Sequence, residues 1–131
     1  MKIFVNGTFD LLHRGHLQML QYAKSLGDHL LVAIDTDSRV KELKGIYRPI
    51  NDQYDRSYIL ESLKFVDTVY FFGNDEELID LIKSYEPDIM VKGADYRNKP
   101  IIGSQYCKEI KFYEHTGHST TDIIQRIINR G

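Results

Sequence analysis

The fold is decided by the stretch Ile3-Phe4-Val5-Asn6-Gly7-Thr8-Phe9-Asp10-Leu11-Leu12-His13-Arg14-Gly15-His16. Its first three residues are β-branched or aromatic and predict a strand, which ends at Asn6-Gly7. A helix follows as far as Leu26, because Leu17, Leu20 and Ala23 recur at helical spacing before Gly27. A strand that passes through a glycine turn into a helix is the opening unit of an α/β sheet.

The same alternation continues along the chain. The further predicted strands are His29–Ile34, Thr68–Phe72, Asp88–Val91 and Ile110–Tyr113. A helix capped by Asp52 is predicted to run to about Lys64 with Ile59, Leu60 and Leu63 facing inward, another spans Glu76–Tyr85, and a last one begins at Ser119. No helix is predicted in the charged segment Asp35–Lys44 or in the glycine-bearing segment Lys92–Gly103. We expect one domain, residues 1–131, with an α/β fold: a single Rossmann-like, doubly wound parallel sheet with helices on both faces.

Composition narrows the class of protein. The formal net charge of −2 argues against binding to nucleic acid or to an anionic membrane by bulk electrostatics. The single cysteine, Cys107, excludes an internal disulfide and a thiol-rich metal site. No apolar run reaches membrane-spanning length and no signal peptide precedes the first strand, so we expect a cytoplasmic protein.

Ligands of such sheets bind beyond the carboxyl ends of the strands, near the point where the strand order reverses. The candidate segments therefore follow the strands, at Asn6–His16, Asp35–Lys44, Lys92–Tyr96 and Gly117–Thr121. They contribute Asp35 as a substrate-binding residue and Lys92, Gly93 and Asp95 as nucleotide-binding residues.

His13 and His16 are the strongest chemical signal. Residues three apart share a helix face, and a helix N-terminus offers unpaired N–H groups and partial positive charge to a phosphate. Gly15 lets backbone or phosphate approach closely. From the residues alone the imidazoles bind phosphate, pack, or hold a metal with a third ligand such as His118.

Gly7-Thr8-Phe9-Asp10 followed by His13-x-Gly15-His16 resembles the signature of the cytidylyltransferase-like nucleotidyltransferases over almost the whole chain. The resemblance implies that His13 and His16 contact the nucleotide phosphates and stabilise the transition state. The acceptor's phosphate then attacks the α-phosphorus of an NTP directly and releases pyrophosphate, with Mg²⁺ bridging the triphosphate. Thr8 and Phe9 would line the nucleotide site through backbone atoms, next to Gly7, and Asp10 would lie beside the acceptor.

Six further residues take roles from the same resemblance. Lys44 would reach the phosphates, and Gly117, Ser119, Thr120 and Thr121 would bind the β- and γ-phosphates. Ser119 and Asp122 also read as a capping box, which is compatible with phosphate binding. Arg56 matches an arginine that faces the substrates, and the alternative is an exposed helical charge.

Within this family, several stretches of the sequence favour ATP over CTP as the nucleotide. Val91–Tyr96, Leu43-Lys44-Gly45 with Arg48–Asn51, and Ile102-Gly103-Ser104 resemble the adenylyltransferase domain that makes ADP-activated heptose from heptose 1-phosphate. Cytidylyltransferases for glycerol 3-phosphate carry an arginine where this chain has Glu114, and they remain the alternative, together with a nucleotide-binding module without turnover. The apolar face of the last helix (Ile123, Ile124, Ile127, Ile128) and the family habit lead us to expect a homodimer.

Overall fold

The computed structural model describes residues 1–114 and 120–130. The strands are β1 (Lys2–Gly7), β2 (His29–Asp35), β3 (Thr68–Phe72), β4 (Ile89–Gly93) and β5 (Glu109–Tyr113). The helices are α1 (Arg14–Ser25), α2 (Asp37–Lys44), α3 (Gln53–Glu61), α4 (Asp75–Tyr85) and α5 (Thr120–Arg130). Two short 3-10 helices, Ala94–Tyr96 and Ser104–Tyr106, lie between β4 and β5.

The five strands form one parallel sheet in the order β3-β2-β1-β4-β5. β1 pairs with β2 from Lys2↔His29 to Gly7↔Ile34, and with β4 on its other side. The strand order therefore reverses at the boundary between β1 and β4, which is where ligands bind in open sheets of this kind. The predicted doubly wound parallel sheet is confirmed.

Alternating residues of β1 face two separate cores, because successive side chains of a strand point to opposite faces. Ile3 and Val5 pack with Leu20 of α1 and Leu60 of α3. Phe4 packs on the other face in the core that contains Leu78 and Ile82 of α4. Helices cover both faces, as predicted.

Helix α2 was not predicted, and the interpretation of its residues as an irregular charged segment is wrong. The only buried residue of this helix is Val40, so the sequence carries no repeating apolar pattern over its length. The helix is held instead by its cap: the Oγ1 of Thr36 accepts a hydrogen bond from the N–H of Arg39 at 3.4 Å.

Helix α3 begins as predicted, since Asp52 accepts a hydrogen bond from the N–H of Asp55 at 2.8 Å. It ends at Glu61 rather than Lys64, and Ile59 is 39% exposed, so its predicted inward position is wrong. The inward positions belong to Arg56, Ser57 and Leu60, which share one face of the helix.

Helix α5 starts at Thr120, whereas Ser119, and with it the predicted capping box, lies outside the described residues. Ile127 and Ile128 are 63% and 62% exposed. Across residues 1–114 and 120–130, no helix is both long enough and apolar enough to span a bilayer.

Candidate active site

A cleft of about 840 Å³ opens beyond the carboxyl ends of β1, β2 and β4, at the boundary where the strand order reverses. Most of the predicted site residues line it: Gly7, Thr8, Phe9, His13, His16, Asp35, Lys44, Lys92, Gly93 and Asp95. Thr120 and Thr121 begin α5, and Gly117 lies outside the residues that the structure describes. The cleft thus unites three segments that follow three different strands.

The loop between β1 and α1 is strained. Phe9 and Leu11 have φ angles of 52° and 50°, in the left-handed region that side chains with a β-carbon rarely adopt. The ring of Phe9 is buried, and its centroid lies 5.2 Å from that of His16. Gly7 makes room for this ring, because a β-carbon there would lie 3.0 Å from Cε2 of Phe9. The strain holds an aromatic ring against the second histidine.

His13 and His16 cap helix α1 reciprocally. Nδ1 of His13 accepts a hydrogen bond from the N–H of Gly15 at 3.1 Å, and Nδ1 of His16 accepts one from the N–H of His13 at 3.3 Å. The two rings stack with centroids 3.8 Å apart. An accepting Nδ1 carries no proton, so each neutral ring bears its proton on Nε2. The cap therefore fixes both imidazoles as Nε2–H donors.

Lys92, near the end of β4, is held between two neighbours in the cleft. Its Nζ donates a hydrogen bond to Oδ1 of Asn6 at 2.8 Å and lies 4.9 Å from the ring centroid of Tyr96. Burial lowers the pKa of Lys92 to about 8, against the opposing effect of the Asp35 and Asp95 carboxylates. A bound phosphate would favour the charged form of this ammonium group.

We expect the affinity for ATP to fall as the pH rises through about 8, because Lys92 then loses its positive charge in the free chain. The Lys92→Arg variant keeps its charge and should bind ATP equally well from about pH 7 to about pH 9. Calorimetric titration with ATP across this range checks both chains. The same pH dependence in both would show that another group is responsible.

Asp35 and Arg39 form part of the wall beside β2. The hydroxyl of Thr8 donates to Oδ2 of Asp35 at 2.9 Å, and Nε of Arg39 lies 3.5 Å from Oδ1. Arg39 also donates to Asp75 at 2.7 Å. Arg39 was not among the predicted site residues, because it belongs to helix α2, which was not predicted. The N-cap residue Thr36 was the available signal.

Lys44 ends α2 and lines the cleft together with Arg48, a second cation that was not among the predicted site residues. Partial burial of its ammonium group and repulsion from Arg48 lower the pKa of Lys44, although the residue as a whole is exposed. Lys44 and Arg48 thus bring two positive charges to the cleft, which favours anionic ligands there.

Asp10 and Arg56 lie behind the cleft rather than in its lining. Asp10 is buried, and its carboxylate accepts hydrogen bonds from the N–H groups of Ile50 and Asn51 at 2.7 and 2.9 Å. It therefore ties the loop after β1 to the loop before α3. That Asp10 also lies beside the acceptor stays a prediction.

Arg56 is not an exposed helical charge, and that alternative is wrong. Its fully buried guanidinium donates to the carbonyl oxygens of Asn51, Thr8 and Asp35 at 2.9–3.0 Å. It also donates to Asp37 at 2.8 Å. Arg56 therefore joins the carboxyl ends of β1 and β2 to helix α3, and its contact with substrate remains a prediction.

A metal site built from protein side chains alone needs at least three ligands. In the part of the chain that the structure describes, no three His, Cys, Asp or Glu side chains cluster in this way. His118, the third ligand of the metal hypothesis, lies outside that part.

Comparisons with known proteins identify the family of the chain. Residues 4–126 match the family model described as cytidylyltransferase-like. The chain is 52% identical over 126 residues to Bifunctional protein HldE of Helicobacter pylori strain Shi470 and 50% identical to that of Campylobacter fetus. These matches cover 95% of this chain but 27% of each relative, so the chain spans about a quarter of their length.

Two solved structures share the fold. The lipopolysaccharide core biosynthesis protein from Thermoplasma volcanium is 27% identical with a TM-score of 0.73, over 88% of this chain and 98% of that one. Pantothenate synthetase from Thermus thermophilus is 15% identical with a TM-score of 0.62, over 89% and 56%. Since the family model matches residues 4–126, nearly the whole chain, this chain belongs to the cytidylyltransferase-like family.

Proposed function

We propose that this chain transfers AMP from ATP to a phosphorylated sugar such as heptose 1-phosphate and releases pyrophosphate. The observation that carries the proposal is the stacked pair of histidines that cap α1 through Nδ1 and line the cleft at the strand-order reversal. The resemblance of Val91–Tyr96 and Leu43–Asn51 to heptose 1-phosphate adenylyltransferases supports the sugar acceptor. The likeness to a lipopolysaccharide core biosynthesis protein agrees with it.

In this reaction an oxygen of the acceptor's phosphate attacks the α-phosphorus of ATP. A new P–O–P bond forms, the bond to the β-phosphate breaks, and pyrophosphate leaves with the electron pair. Negative charge grows on the oxygens around the α-phosphorus, so fixed N–H donors accelerate the step. His13 and His16 supply such donors, and Lys44 neutralises charge on the triphosphate.

Mg²⁺ is part of this proposal. In nucleotide sites Mg²⁺ is bound by phosphate oxygens, by waters and by only one or two carboxylates of the protein. It therefore does not need a cluster of three protein ligands, and the described parts of the chain contain none. When bound, Mg²⁺ neutralises charge on the triphosphate. Of the carboxylates that line the cleft, Asp35 and Asp95 follow strands β2 and β4 and would hold the ion.

We also propose that two copies of the chain associate. The support for this is the pair of isoleucines on α5, Ile127 and Ile128, which stay largely exposed in the single chain. Exposed apolar side chains on one helix face favour association with a second apolar surface.

We expect ATP to be preferred over CTP by at least about tenfold in kcat/KM, a difference of roughly 1.4 kcal/mol. Glu114 lines the cleft and pairs with Arg97 at 3.3 Å. By resemblance, this carboxylate stands at the position where cytidylyltransferases for glycerol 3-phosphate carry an arginine. A carboxylate cannot donate to O2 and N3 of cytosine, whereas the N6 amino group of adenine is itself a donor. Pyrophosphate release with each NTP and a series of sugar and polyol phosphates measures the preference.

The matched control for this prediction is Glu114→Arg, which introduces the arginine that cytidylyltransferases for glycerol 3-phosphate carry at this position. We expect this variant to narrow the preference for ATP, since its guanidinium can donate to cytosine. Equal or better use of CTP by the unchanged chain, with glycerol 3-phosphate as the best acceptor, would replace the proposed function by a cytidylyltransferase.

A further inference from the structure

Arg48 is an inward-facing cation that directly follows outward-facing residues of its loop. The residues before it, Ile46 and Tyr47, are 77% and 86% exposed, whereas the side chain of Arg48 is 15% exposed and lines the cleft. Withdrawing an arginine from water is costly unless its charge meets a partner. The fold therefore places the positive charge of Arg48 in the cleft.

The nearest carboxylate pairs with Arg48 only weakly. Oδ2 of Asp10 lies 3.5 Å from Nε of Arg48, which is too long for a hydrogen bond, and the same oxygen accepts the N–H of Ile50 at 2.7 Å. Among residues 1–114 and 120–130, the buried Nε of Arg48 has no hydrogen-bond partner. Asp10 thus fixes the backbone around Arg48 while leaving the guanidinium available to an anion.

The position of Arg48 differs from that of the histidines. His13 and His16 stand at the N-terminus of α1, whereas Arg48 comes from the loop that follows α2. An in-line displacement needs two anion positions, because the entering oxygen lies on the side of the α-phosphorus opposite to the leaving pyrophosphate. A planar guanidinium with parallel N–H groups matches a phosphate that must be held in one orientation.

We propose that Arg48 binds the phosphate of the acceptor, and that Asp10 is the positioning residue that holds it there. This assignment rests on the proposed function, in that the acceptor carries a phosphate. It makes Arg48 the residue that orients the attacking oxygen, whereas His13, His16 and Lys44 act on the triphosphate.

The test compares Arg48→Met and Arg48→Lys with the control Lys41→Met, whose exposed side chain on α2 does not line the cleft. In Arg48→Met we expect KM for the sugar 1-phosphate to rise at least about tenfold and KM for ATP to change less than about twofold. Arg48→Lys should be intermediate and Lys41→Met unchanged. Melting temperatures show whether each variant is folded. If Arg48→Met does not fold, the KM values of Arg48→Lys decide the test.

A rise in KM for ATP as large as that for the acceptor would overturn the proposal, and so would no change in either. If the unchanged chain transfers no AMP to sugar 1-phosphates, the proposed function fails, but Arg48 is still tested. Calorimetry then measures inorganic phosphate binding in the presence of α,β-methylene-ATP. Binding at least about tenfold weaker in Arg48→Met supports the phosphate site, and equal binding rejects it.

Discussion

Replacing His16 with glutamine is expected to lower kcat by a factor of about 10²–10³ while the chain stays folded. The third helical position of a capping box accepts glutamine, whose side-chain oxygen can replace Nδ1 in the bond from the N–H of His13. What glutamine lacks is the rigid Nε2–H donor stacked on the ring of His13. The variant thus separates the two functions of this histidine. Steady-state kinetics and thermal unfolding of the same preparation measure both.

His13→Asn is the companion variant, because asparagine is a preferred N-cap residue and keeps the bond to the N–H of Gly15. We expect a similar loss of kcat with little loss of stability. His13→Ala should lose activity and also about 1 kcal/mol of stability, since the cap is removed. Turnover within about threefold of the unchanged chain in both capping-competent variants would show that the histidines serve only the helix.

The sheet and the histidine motif could be predicted from the sequence because both depend on local patterns. The runs Ile3–Val5 and His29–Ile34 are continuous and apolar, as in strands that are covered on both faces. The turn into α1 combines a glycine with a helix start, so its place beyond β1 follows from the chain order. The rule that ligands bind beyond strand ends then located the cleft without any contact being known.

The remaining features depend on contacts between distant residues. Asp10 binds the N–H groups of Ile50 and Asn51 about forty positions away, and no spacing in the sequence indicates such a pair. Helix α2 has one buried residue, so its periodicity carries no signal, and Arg39 was missed with it. The tautomers of His13 and His16 follow from hydrogen bonds that exist only once the loop adopts its strained conformation.

Arg56→Met is expected to lower the free energy of unfolding by about 3–5 kcal/mol, which is a large part of the total for a domain of this size. The substitution keeps the apolar stem but removes every donor. It leaves the carbonyl oxygens of Thr8, Asp35 and Asn51 without the bonds that Arg56 now gives them, and Asp37 without its ion pair. Urea denaturation measures the loss, with Arg126→Met on the exposed surface of α5 as the control.

Arg56→Lys tests why an arginine stands at this position. A lysine keeps the positive charge, but its single ammonium group cannot reach three carbonyl oxygens and a carboxylate that the planar guanidinium bonds from three nitrogens. We therefore expect Arg56→Lys to recover only a minor part of the stability lost in Arg56→Met. Because one of those carbonyls directly follows β1 and another ends β2, kcat should fall in both variants even at temperatures where they are folded. Full recovery by lysine would mean that Arg56 acts through its charge alone, and that the carboxyl ends of the two strands keep their places without its hydrogen bonds.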